Sequence, residues 1–232
     1  MSFFVLLPGA WLVGGVYESV VSALKTRGHQ AAAVTFPGLA DELEQTPDLE
    51  TWIKFVTDAI TATPSKEIVL VGHSFSGIIA GAVADRLDDH VARLIYLDAN
   101  LPVDGESFVD SWSEAGQEWL ANQIAATPGL RWPPDLGQDE TQLEDTQQMV
   151  LLSHAYPMPA PPLYQRSVLS DRADQEVSTT YILCTKGRPE LPADVHDRVK
   201  RSGWDVRHLD SAHWPMISHP SELATMLHEI SD

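Results

Sequence analysis

Apolar and β-branched residues gather in six short stretches of the chain, 3–7, 31–36, 67–71, 92–97, 179–184 and 204–209, most of them bounded by Gly, Pro or Asp. Runs of this length are too short for a helix that buries one face and right for a strand. Between them the apolar spacing changes to steps of three and four, over 16–27, 49–61, 78–87, 192–201 and 220–230. In 49–61 the residues Leu49, Trp52, Ile53, Val56 and Ile60 fall on one helical face, Pro47 suits a first turn, and Asp48 and Glu50 suit the positive end of the helix dipole. Strands alternating with helices predict an α/β protein, a mainly parallel sheet with helices on both faces. Ligands of such sheets bind beyond the carboxyl ends of the strands.

One stretch breaks the alternation. From 103 to 176 no apolar strand run occurs; instead come Trp112, Trp119, Trp132, Met149, Met158 and the prolines 157, 159, 161 and 162. A structureless loop of that length is foreign to a compact domain, so the stretch reads as an inserted, mostly helical cap over the strand ends. The expected organisation is a core made of 1–102 and 177–232, with the cap at 103–176. About half of the cap aromatics are expected to form its own core. Trp112 and Trp119, with Trp11 and Trp214 from the core, are the candidates for contact with a substrate.

At 232 residues the chain suits one sizeable core, and its uninterrupted apolar runs of four or five residues are far below a membrane span. The start has no basic region and turns at Pro8-Gly9, so it reads as a first core strand rather than a signal peptide, and a cytoplasmic protein is expected. The single cysteine, Cys184, forbids an intrachain disulfide. A formal net charge of −18, spread over segments such as 41–44 and 139–145, repels phosphate backbones and anionic lipid. That excludes nucleic acid and membrane as partners and leaves a small molecule; oligomeric state is open.

The sharpest chemical signal is Gly72-His73-Ser74-Phe75-Ser76-Gly77, which follows the apolar run Ile68-Val69-Leu70-Val71 and opens into the helix pattern at 78. Strand, sharp turn with one serine, then helix is the context of a nucleophile elbow, with Ser76 in place of the usual last glycine. A serine hydroxyl needs a base and oxyanion donors to act as a nucleophile. The donors expected are the backbone N–H of Phe75, directly after the serine, and of Ala10, in the Pro8-Gly9-Ala10-Trp11 loop after the first strand. The base should come last in the chain, and His213 alone among the histidines lies just past a predicted strand and just before a final helix. The spacings of His208, His213 and His219, five and six, match no common ligand pattern, so neither a metal nor another cofactor is expected.

With these pieces, the chain resembles an α/β-hydrolase, and within that superfamily the small esterases related to plant methyl esterases and hydroxynitrile lyases. The segments that carry the likeness are 5–11, 72–77, 94–102, 181–185 and 212–216. The resemblance implies the α/β-hydrolase fold and a serine hydrolase that cleaves an ester or lactone of a small, mostly apolar molecule through an acyl-Ser74 intermediate. Two departures matter. The family usually has His-Gly where this chain has Pro8-Gly9, so a histidine that braces the loop is missing. Relatives also read Cys-Thr-x-Asp after the penultimate strand, where this chain reads Cys184-Thr185-Lys186-Gly187, so the aspartate that orients the histidine is absent. Asp98, where related haloalkane dehalogenases can carry their acid, and Glu190 are the alternatives, beside no acid at all. Without one, a lyase using Ser74 and His213 as a base without acylation, or a non-catalytic binding relative, are the rival readings. Gly9 and Trp214 stand where the cyanide-releasing relatives have threonine and lysine, which implies no hydroxynitrile chemistry.

Overall fold

The computed structural model describes residues 1–41, 44–65, 67–87, 89–135, 143–170 and 177–231. Residues 139–142 of the acidic segment 139–145, two residues of 41–44, and residues 136–142 and 171–176 of the expected cap lie outside that set.

Six strands form one sheet in the order β2-β1-β3-β4-β7-β8: β1 (Phe3–Leu7), β2 (Gln30–Ala33), β3 (Ile68–His73), β4 (Val91–Leu97), β7 (Ser178–Cys184) and β8 (Asp205–Leu209). Every neighbouring pair is parallel. β3 is buried along its whole length, as a central strand covered on both faces must be, whereas β8 at the edge is mostly open. The sheet is covered by helix pairs, α1 (Glu18–Thr26) with α9 (Pro220–Ser231) and α2 (Leu49–Thr61) with α3 (Ser76–Arg86). α2 starts on a capping box, in which Asp48 accepts from the Thr51 amide at 2.8 Å.

Two expected elements change their limits. The strand expected over 31–36 ends at Ala33, because the chain turns to stack Phe36 on Trp52, ring centroids 4.6 Å apart. The helix expected from 78 starts at Ser76, directly after the elbow, and is buried from Ser76 to Ala84. Its closeness to β3 depends on Gly72, where an added Cβ would lie 2.6 Å from the Ala80 Cβ and 2.7 Å from the Ser76 carbonyl oxygen.

Between β4 and β7 the described residues hold α4 (Glu114–Ala126), β5 (Arg131–Trp132), α5 (Asp145–Ser153), β6 (Met158–Pro159) and α6 (Pro161–Tyr164), with β5 and β6 paired antiparallel apart from the main sheet. This stretch is tied to the loop after β1. Val13 N–H donates to the His154 carbonyl (3.1 Å) and Tyr156 N–H to the Trp11 carbonyl (2.9 Å). The core continues without a break from the sheet into Leu120, Ile124, Leu151 and Leu163.

Candidate active site

Three of the four non-glycine residues with positive φ among the described residues are Trp11 (65°), Ser74 (52°) and Asp98 (45°). Each follows the carboxyl end of a sheet strand, β1, β3 or β4. A left-handed backbone costs a non-glycine residue about 1 kcal/mol or more, and such strain gathers where a side chain must be aimed. The surrounding hydrogen bonds hold it in place. Ser74 N–H donates to the Leu97 carbonyl (3.2 Å), and Asn100 N–H donates back to the Ser74 carbonyl (3.0 Å). The Asp98 N–H donates to the Ile182 carbonyl (2.8 Å) on the neighbouring strand.

The Asp98 side chain is 1% exposed, and its Oδ2 lies 2.6 Å from His213 Nδ1. A carboxylate only accepts, so Nδ1 carries the proton and Nε2 keeps the lone pair. That is the tautomer a general base needs. Burial alone would push the Asp98 carboxyl up, but the hydrogen bond and charge of His213, with the Arg188 guanidinium 2.6 Å away, outweigh it and hold the group below the usual carboxylate range. Glu190, the other carboxylate the sequence offered, is exposed and makes no hydrogen bond to His213 among the described residues.

His73 braces the histidine loop from behind. Its Nε2 donates to the His213 carbonyl (2.7 Å) and its ring lies 4.6 Å from that of His213. Full burial, with the neighbouring His213, drives its pKa down to about 3, so the ring is neutral at ordinary pH. Trp214 completes the brace. One of the expected substrate contacts, it is 2% exposed and packs edge-on against His213 (4.9 Å) and His73 (5.4 Å).

The loop after β1 passes directly over the elbow. A Cβ on Gly9 would lie 2.8 Å from His73 Nδ1 and 3.1 Å from the Ser74 Cβ, so only glycine permits the approach. Neither the Ala10 nor the Phe75 amide N–H is engaged in a hydrogen bond among the described residues, as donors reserved for a ligand oxygen require. The residue that stands for the family's glycine has work of its own: the Ser76 hydroxyl donates to the Pro8 carbonyl, tying the loop to the first turn of α3. Sequence reasoning saw Ser76 only as a tolerated small side chain; its only signal was its co-occurrence with the missing loop histidine.

Aromatic rings continue outward from Phe75. Phe108 meets Phe75 at 5.2 Å, Trp112 at 5.4 Å and Trp132 at 6.4 Å, and Trp11 packs on Trp132 at 4.2 Å. Trp119 stacks on Trp112 at 6.4 Å but is 40% exposed, at the outer margin of the group. Phe108 and Trp132 were not among the expected substrate contacts. A groove of about 470 Å³ beside these rings, lined by Ile78, Asn100, Leu101, Val103 and Phe108 among others, reaches neither Ser74 nor His213. Among the described residues no group of side chains has the make-up of a metal site, and no helix is long and apolar enough to cross a membrane.

Comparison with known proteins gives a consistent picture. The model of an alpha/beta hydrolase family matches residues 4–226. A carbendazim hydrolyzing esterase from a Nocardioides species is 36% identical over 112 residues, which are 47% of this chain and 46% of that protein. The match therefore spans under half of that relative's length. Methylesterase 3 of Arabidopsis thaliana is 23% identical over 97% of this chain and 92% of its own. Among solved structures, an extracellular alpha/beta-hydrolase from a Paenibacillus species, described as sharing structural and functional homology with tobacco salicylic acid binding protein 2, superposes with a TM-score of 0.87 at 22% identity, covering 99% of this chain and 98% of that one.

Proposed function

The chain belongs to the alpha/beta hydrolase family, and from that premise we propose that it is a serine esterase in which Ser74 is the nucleophile, His213 the base and Asp98 the orienting acid. The observation that carries the reading is the 2.6 Å contact between a buried carboxylate and His213 Nδ1, made from the strand end next to the elbow. It favours hydrolysis over the elimination and binding readings left open by the missing aspartate at position 187. Relatives named esterase and methylesterase point the same way.

In the reaction, Ser74 Oγ adds to the ester carbonyl carbon while its proton passes to His213 Nε2. The oxyanion is held by the amides of Phe75 and Ala10, each such donor contributing about 2.7–4 kcal/mol to lowering the barrier in comparable sites. His213 returns the proton to the departing alkoxide, leaving acyl-Ser74. Water then attacks the acyl carbon, gives its proton to His213, and Ser74 leaves with it. The described residues of 103–176 act as the cap, and the rings of Phe108, Trp112, Trp132 and Trp11 form an apolar wall for a substrate with a flat ring. Methyl esters of aromatic acids are the expected substrates.

Incubation with a fluorophosphonate followed by peptide mapping tests the reading, with the adduct expected on Ser74. The Ser74→Ala variant should keep its fold and lose at least about 10³-fold in turnover. Ester cleavage that survives this change places the chemistry elsewhere. A kcat/KM that peaks with methyl acetate and falls with each added apolar group contradicts the aromatic wall.

A further inference from the structure

One oxygen of Asp98 serves two partners. Oδ2 accepts from His213 Nδ1 and from Arg188 Nη2, both at 2.6 Å, whereas among the described residues Oδ1 has only a long contact, 3.4 Å, from the Cys184 amide. The Asp98 side chain is 1% exposed and that of Arg188 51%. A buried carboxylate is therefore backed by a cation at the protein surface. Arg188 sits in the turn after β7, where the resemblance led us to expect an aspartate. Gly187 has φ 83°, and the Arg188 amide closes the turn on the Thr185 carbonyl at 3.2 Å. The Thr185 and Lys186 amides donate to the Leu209 and Ser211 carbonyls, at 2.9 and 3.0 Å, on the segment that leads to His213. The turn that brings a negative charge in the resembled esterases thus brings a positive one here.

When Ser74 gives up its proton, His213 becomes an imidazolium that Asp98 must stabilise. The share of the carboxylate's charge already balanced by a guanidinium on the same oxygen is not available for that purpose. We propose that Arg188 is a positioning residue that fixes the Asp98 carboxylate and sets the pH range in which His213 works as a base, extending it on the acid side. This rests on the esterase reading above. The other titratable groups around Asp98 are His73, at the end of β3, and Tyr181 and Cys184 on β7. Burial keeps His73 and Tyr181 neutral through the working range, so neither can take over the role of Arg188.

The test compares the full-length protein with Arg188→Gln and Arg188→Lys between about pH 5 and 9, reading the rate of Ser74 phosphonylation by a fluorophosphonate and the NMR titration of the His213 ring. Removing the cation should move the acid limb and the ring's midpoint about 0.5–1 unit to higher pH, a modest shift because half of Arg188 is in solvent. The lysine variant should stay within about 0.2 unit of the parent, since it keeps the charge. Raising salt from about 0.05 to about 1 M should carry the parent protein towards the glutamine variant, an arm that needs no variant to fold. An acid limb unmoved in Arg188→Gln and by salt overturns the proposal and leaves Arg188 a purely structural tie; a limb moved to lower pH overturns it as well. Failure of the esterase reading shows separately, as absence of phosphonylation at every pH, while the ring titration still decides the part played by Arg188.

Discussion

Replacing Asp98 by Asn keeps its size and alters one thing, the ability to accept a hydrogen bond from His213 Nδ1 without donating one back. An amide NH2 facing the ring favours the tautomer protonated at Nε2, which cannot take the Ser74 proton. Turnover should fall by about 10³–10⁴, with KM much less affected. Glu190→Gln should be silent in the same assay, because the side chain is exposed and does not reach the ring. An inverted result would move the acid to the turn after Cys184. The proposed nucleophile and base, Ser74 and His213, could be picked out in the sequence because each is announced locally, by a strand and turn before it and a helix after. The proposed acid could not, since the choice between Asp98 and Glu190 depends on which strand end lies beside His213. That follows from β4 pairing with β7, a relation between residues far apart in the chain. The packing of Trp214 on His73 was not legible for the same reason: adjacency to His213 says nothing about which side of it the ring packs on.

Between the elbow and the loop after β1, one hydroxyl replaces a missing histidine as the tie. The Ser76 side chain is on the first residue of α3 and its partner, the Pro8 carbonyl, belongs to the segment that presents the Ala10 amide. Ser76→Ala leaves that carbonyl without its partner, which should lower stability by about 1–3 kcal/mol. Looser placement of the Ala10 amide should also cost kcat more than KM, because the oxyanion forms only on the way to the intermediate. Equal kcat in both proteins would show the loop to be fixed by other contacts, such as those from His154 and Tyr156. At this scale the six main strands and five helices of the core could be read from periodicity to within a few residues, whereas α4, as long as α2, and α5 were foreseen only as part of a mostly helical insertion. β5 and β6 could not. They are two residues each, and their pairing is fixed by the surrounding aromatic packing rather than by an alternating pattern.

The molecule as a whole carries −18, a charge that acid titration reduces, so self-repulsion relaxes as pH falls. Opposing this is a histidine folded into the core. His73 titrates near 6.5 in an unfolded chain and at about 3 in the folded one. Between those values the unfolded state binds a proton that the folded state does not, so stability is full above 6.5 and drains away as pH falls. The slope is about 1.4 kcal/mol per unit, or roughly 2 kcal/mol between pH 6.5 and 5. Asp98 does not enter this window: its folded pKa is depressed, so its contribution is complete above the unfolded carboxylate range near 3.9 and is lost only below it. Urea unfolding of the parent protein and of His73→Gln at pH 7 and 5 isolates the effect, since surface charge and the remaining histidines are common to both. Glutamine can still donate towards the His213 carbonyl, and its amide does not titrate. The variant should lose about 2 kcal/mol less than the parent over that interval. Parallel losses would mean that His73 takes up its proton in the folded state, and that the space behind His213 is wetter than the complete burial of His73 indicates.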